Sequence, residues 1–222
     1  MVGETSPLLI NYAASATKSN ALGPGNRSIL WVRGCERHCK GCISPYWWSK
    51  QPQTLVSPED LARRLLVNNP LVEGITISGG EPFLQAEALL QMLLVARRDR
   101  EFNTIIYSGY TLQGLYDSGL PGVAGLLAEV DVLIDGEFDI TKPANDGIRG
   151  SLNQEIHFLT DRITTATFFA KRNPLELFSR DGHAFLIGVP TSEQLSIFHQ
   201  AVERTKGTFS SQQFNIAKGG VQ

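Results

Sequence analysis

The three cysteines of this chain fall within eight consecutive residues, Cys35-Glu36-Arg37-His38-Cys39-Lys40-Gly41-Cys42. An odd number of thiols packed this closely is no disulfide framework, because one would be left over and the loops closed would be too short to stabilise the fold. In a reducing compartment such a group reads as metal ligation. The C-x3-C-x2-C spacing lets three thiolates converge on one face of a cubane cluster, and three ligands for four irons leave one iron without a protein side chain. An open iron is a binding site. The competing ion is zinc, with a fourth donor such as His38 or His157, although structural zinc sites usually show two separated pairs. Three unligated core thiols do not fit, since Glu36, Arg37, His38 and Lys40 are not core residues.

The elements that must position these thiols alternate along the chain. Ile29-Leu30-Trp31-Val32 predicts a strand that delivers the chain to the cysteine loop. Ser57-Pro58-Glu59-Asp60 has a capping residue, proline at the first helical position and an acid in the first turn. It predicts a helix to about Asn68 with Leu61, Leu65 and Leu66 on one face. Gly74 to Ser78 is a second strand, halted by Gly79-Gly80-Glu81-Pro82. Gln85 to about Arg98 repeats apolar residues at Leu89, Leu90, Leu93 and Ala96, a buried helical stripe. Thr104 to Tyr107 and Val130 to Ile134 are further strands, ending at Ser108-Gly109-Tyr110 and Asp135-Gly136. A weaker helical stretch runs between them to about Ser118. Loops that are polar or glycine-rich always follow the strands, as in a parallel sheet whose site lies at the carboxyl ends. The fold class is therefore α/β, an open parallel sheet or a partial (β/α) barrel.

After Leu159 the texture changes. Pro174 to Val189 predicts two strands joined at Asp181-Gly182, and Thr191-Ser192-Glu193-Gln194 is a capping box opening a helix with Leu195, Phe198 and Val202 inward. The organisation read from the sequence is a core over residues 8–160, a β-hairpin and helix appendage over 161–206, and a loosely ordered tail over 207–222.

The cysteine spacing resembles the fingerprint of the radical S-adenosylmethionine (SAM) enzymes. Alone, the pair Gly79-Gly80 would more often be a turn. In that superfamily, however, a Gly-Gly-Glu after the second strand meets the methionine amino group of SAM, and Gly79-Gly80-Glu81 stands in that order here. Glycine allows close backbone approach, and a carboxylate suits an ammonium group. Further strings are similar to the group that activates anaerobic ribonucleotide reductases: Gly23-Pro24-Gly25-Asn26-Arg27, Gly34, Gly41, Ser108-Gly109-Tyr110-Thr111, Asp131 to Phe138 and Arg149 to Gln154.

The resemblance implies a [4Fe–4S] cluster on Cys35, Cys39 and Cys42, with SAM chelating the open iron. It implies cofactor contacts at Gly79, Gly80, Glu81, Ser108 and Asp135, although Asp135 at a strand end could equally cap the following loop. It further implies reductive cleavage of SAM to a 5′-deoxyadenosyl radical, with an electron from flavodoxin or ferredoxin, and a glycyl radical made on a partner such as an anaerobic ribonucleotide reductase. Three cysteines leave none for an auxiliary cluster. A related enzyme acting on another peptide or small molecule, or a non-enzymatic iron–sulfur or zinc module, is the alternative. Trp47 and Trp48 suit either packing or shielding of the cluster, and Arg149, Ser151, Asn153 and Gln154 either partner binding or a satisfied strand edge.

Composition narrows the partners. The 222 residues carry 20 Lys plus Arg against 22 Asp plus Glu, a net charge of −2, which leaves no basic surplus for a phosphate backbone and disfavours nucleic acid. Runs such as Met92-Leu93-Leu94-Val95-Ala96 fall far short of the ~20 residues of a membrane span. The first nine residues lack the basic and apolar regions of a secretory signal, so the expected location is the cytoplasm.

Overall fold

The computed structural model describes residues 7–170, 175–180 and 183–204. β1 (Ile10–Ser19) pairs antiparallel with both β2 (Arg27–Val32) and the short β3 (Leu55–Val56). β2 pairs in parallel with β4 (Gly74–Gly79), β4 with β5 (Asn103–Tyr107), and β5 with β6 (Val132–Asp135). β7 (Glu155–Phe158) adds antiparallel to β6. The order is β3-β1-β2-β4-β5-β6-β7, with β3 and β7 at free edges, so the sheet is open. No closed barrel forms among the described residues, and the all-parallel reading is corrected: a parallel centre lies between antiparallel margins.

Both faces of the centre are covered, and the side chains alternate cleanly between them. Leu30, Val32, Ile75, Ile77, Ile106 and Leu133 share one core with the helices. That layer holds α1 (Pro58–Ala62), prolonged by a π turn over Arg63–Val67, then α2 (Ala86–Arg97), α3 (Leu112–Asp117) and α4 (Val123–Ala128). The alternate residues Ile29, Trp31, Ile105, Val132 and Ile134 face the other way. Ser57 caps α1 as anticipated, accepting from Asp60 N–H at 3.1 Å.

Short α5 (Thr165–Phe168) precedes the hairpin of β8 (Leu175–Arg180) and β9 (His183–Gly188), which pair antiparallel. The predicted turn at Asp181-Gly182 and the tail 207–222 lie outside the described residues. α6 (Ser192–Arg204) opens with the predicted capping box, Thr191 N–H donating to Gln194 Oε1 at 2.8 Å and Gln194 N–H to Thr191 Oγ1 at 3.2 Å. Phe198 and Val202 are buried against Leu175 and Leu186, while Leu195 turns to a cavity. No described helix is long and apolar enough to cross a membrane.

Candidate metal centre

β2 ends at Val32 and hands the chain to the cysteine loop, which is tied at its base: Gly34 N–H donates to Trp47 O at 2.8 Å and Cys35 N–H to Trp48 O at 3.0 Å. Within the loop, Arg37 N–H donates to Cys35 Sγ and Ser44 N–H to Cys42 Sγ, each at 3.4 Å. Backbone N–H groups aimed at sulfur stabilise thiolate and are the donors that tune iron–sulfur ligands. Burial pushes the Cys35 and Cys39 thiols up, against backbone N–H donors that pull them down, so metal binding must expel protons here. Gly41 has φ +80°, a conformation that side-chain-bearing residues rarely adopt, and a Cβ there would also crowd Ile140 Cδ1, at 2.4 Å, in the segment after β6.

Among the described residues, the ligand atoms gathered within 4.8 Å of one another are those of Asp135, Glu155 and His157. Of the two fourth donors suggested for zinc, His157 has its Nε2 3.0 Å from Asp135 Oδ2, whereas His38 lies within the cysteine loop beside Trp48.

The end of β4 is stitched to the root of the cysteine loop. Gly80 N–H donates to Val32 O, and Glu81 N–H to Gly34 O, both at 2.7 Å. A Cβ on Gly80 would lie 2.3 Å from Gly34 O, and one on Gly79, whose φ is +118°, 2.3 Å from Val32 N. The close approach that these glycines permit is therefore to the chain's own backbone. Glu81, 1% exposed, accepts from Phe83 N–H at 3.0 Å, Ser108 Oγ–H at 3.0 Å and Gly109 N–H at 2.7 Å. Burial outweighs these donors and pushes its carboxyl up to about 7. Glu81 thus clasps the end of β4 to the end of β5.

A cavity of about 860 Å³ opens at these carboxyl ends and brings together Cys35, Cys39, Cys42, Gly79, Glu81 and Ser108. Gly80 lies on the same wall. Asp135 is placed differently. Its carboxylate sits on the helix face, where it accepts from Leu112 N–H at the start of α3, while its neighbour Gly136 lines the cavity. That bond is to α3, earlier in the chain, and not to the loop that follows Asp135.

The polar string after β6 is spent on itself: Gln154 accepts from Gly150 N–H at 2.8 Å and donates to Gly136 O at 2.9 Å, and Asn153 donates to Glu137 O at 2.8 Å. Trp47 is 1% exposed and packs on Trp31, whereas Trp48 stacks beside His38 with ring centres 4.8 Å apart. Sequence reasoning missed Arg37. This cavity residue bonds Glu137 at 2.7 Å and lies over the Tyr110 ring, tying the cysteine loop to the segments that follow β5 and β6. Nothing in a lone loop arginine signals such a span.

Residues 21–157 match the family model described as a 4Fe-4S single cluster domain. An anaerobic ribonucleoside-triphosphate reductase-activating protein from Vibrio cholerae is 36% identical over 146 residues, covering 62% of this chain and 91% of that protein. Proteins of the same name from Haemophilus influenzae and Enterobacteria phage T4 are 34% and 30% identical, and the matches cover 61% and 64% of this chain and 89% of each relative. The chain belongs to the family of anaerobic ribonucleoside-triphosphate reductase-activating proteins. The cysteine loop, Gly79–Glu81 and Ser108 all fall inside the matched span, whereas α6 follows it.

Proposed function

We propose that this activator binds a [4Fe–4S] cluster through Cys35, Cys39 and Cys42 and cleaves SAM reductively, generating a glycyl radical on an anaerobic ribonucleotide reductase-like partner. Cys35, Cys39 and Cys42 would hold the cluster, which when bound would supply the single electron, drawn from a flavodoxin or ferredoxin, for reductive cleavage of SAM and removal of a hydrogen atom from the target glycine. The chain's own part is to hold and to shield. The cysteine loop presents three thiolates beside the Gly79–Glu81 strand end, so the methionine end of SAM would meet backbone polar groups of β4 next to the open iron. Ser108 and Glu81 fix that strand end through β5. Trp47, Phe138 and Ile140 give the cavity apolar surface that keeps water and stray hydrogen donors away from a radical.

The observation that carries this reading is the convergence of the three-cysteine loop and the Gly-Gly-Glu strand end on one cavity, in a chain of this family. Its test is anaerobic reconstitution with iron and sulfide, reduction with dithionite, and chromatography for 5′-deoxyadenosine from added SAM. Product is expected from the wild type and none from Cys35→Ala, Cys39→Ala or Cys42→Ala. Uptake of zinc instead, or a cluster that never cleaves SAM, overturns the proposal.

A further inference from the structure

The cavity has a wall contributed by residues beyond the family match, which ends at residue 157. Ser192, Leu195, Ser196, His199, Gln200 and Glu203 of α6 all line it. Their spacing places them on one stripe of the helix. A different stripe, Phe198 and Val202, anchors α6 to the hairpin through Leu186 and Leu175. The hairpin in turn is fixed to the core: Ile187, 3% exposed, packs in the cluster that contains Trp31 and Trp47. Trp47 stands at the base of the cysteine loop, where its carbonyl accepts from Gly34 N–H. The wall and the metal loop therefore share one apolar support, which sets the distance between them.

The chemistry of the stripe points to what passes along it. Ser196, His199 and Gln200 are exposed, and the Gln200 amide donates to Ser196 Oγ at 3.3 Å, a bond at the water-facing surface that a ligand can exchange for its own. Hydroxyl, imidazole and amide groups offer both donors and acceptors, the complement of the alternating N–H and C=O groups of an extended peptide. The cavity of about 860 Å³ is at the large end of small-ligand sites, with room for a cofactor and an inserted chain segment.

We infer that α6 is a peptide-reading wall, on which Ser196, His199 and Gln200 hydrogen-bond the main chain of an extended segment that the partner inserts between α6 and the cysteine loop. The inference rests on the function proposed above and names the residues of this chain that select its substrate. They act as specificity-determining residues, because none of them contacts the thiol loop or the Gly79–Glu81 strand end in the described hydrogen bonds.

The test compares equal bulk on two faces of one helix in the full-length, cluster-loaded chain: Ser196→Trp on the stripe, and Ile197→Trp, which is 59% exposed and off it. The probe is a synthetic peptide copying the glycine-bearing segment of an anaerobic ribonucleoside-triphosphate reductase, with binding read by fluorescence anisotropy. Loss of one or two hydrogen bonds predicts about tenfold weaker binding for Ser196→Trp and no measurable change for Ile197→Trp. Peptide-free formation of 5′-deoxyadenosine should be the same in Ile197→Trp, whose side chain lies off the cavity, and in the wild type. Equal binding by the two variants overturns the wall while SAM cleavage keeps the proposed function standing. A wild type that cleaves no SAM removes that function, and the wall with it.

Discussion

Two charged side chains are buried at opposite ends of the same pair of parallel strands, and the sheet treats them differently. Arg27 begins β2 and is fully buried. Its guanidinium donates to Thr76 Oγ1 at 2.8 Å, Pro24 O at 3.0 Å, Asn103 Oδ1 at 2.5 Å and Ile75 O at 2.7 Å. Burial pushes its pKa down only to about 9, so it remains a cation at neutral pH, hydrogen-bonded by neutral oxygens and favoured at longer range by the charges of Asp131 and Glu73. Glu81 follows β4 at the other end, and there burial prevails to the point that the carboxyl titrates near neutrality. The amino end of the sheet is saturated and fixed. The carboxyl end holds a carboxylate whose charge is in balance, beside a cavity. In a parallel sheet that is the division between stability and chemistry.

Arg27→Leu should break the comparison at its fixed end and have the larger effect. An apolar side chain of similar reach would leave buried carbonyl and amide oxygens of Pro24, Ile75 and Asn103 without donors. At about 1–3 kcal/mol for each unsatisfied group, a loss of about 4 kcal/mol is expected. For a chain of this size that is a fall in Tm of roughly 10 °C, measurable by calorimetry or circular dichroism. A fall of only a degree or two would show that the clasp is solvated.

Glu81 sharpens the other end through pH. Its folded pKa of about 7 exceeds the ordinary 4.5, so between these values the native state holds a proton that the unfolded state has lost. Stability should therefore decline as pH rises from about 4.5 to about 7 and level off above, by about 3 kcal/mol in the metal-free chain. Glu81→Gln removes the titration and should flatten that slope in denaturant melts across the range. It also sets an amide N–H₂ against one of the donors from Phe83, Ser108 or Gly109, at about 1–2 kcal/mol independent of pH. An unchanged slope would assign the pH dependence to another group.

The contrast between the two ends also explains what could be read beforehand. The central strands and α1, α2 and α6 were legible because β-branched runs, apolar spacing and capping boxes are local signals. β1 was not: Ala13-Ala14-Ser15-Ala16 carries none of the bulk that marks a strand, and its register shifts against β2 break any alternation. β7, four residues on a sheet edge, is too short to stand out from the polar string before it. At the site, the cysteine spacing and the Gly-Gly-Glu string were legible as types. Which backbone the glycines approach was not, because Val32 and Gly34 lie more than forty residues earlier in the chain. The direction of Asp135 depended on strand parity at β6, which a four-residue strand leaves undefined until its neighbours are known.

The smallest effect is expected where charge meets water instead of the interior. Lys50 and Glu36 pair at 2.5 Å on the outer edge of the cysteine loop, with side chains 63% and 50% exposed. Each holds the other in its charged form, Glu36 below and Lys50 above its ordinary range. Solvent screens such a pair, and ordering two long side chains offsets most of the attraction. Glu36→Ala should leave Tm unchanged and iron loading intact, because the loop is held by Gly34 and Cys35 N–H on the carbonyls of Trp47 and Trp48. If iron loading falls while Tm holds, the pair orients the loop for metal capture. Dependence on salt would then separate it from the buried clasps, whose partners no ion reaches.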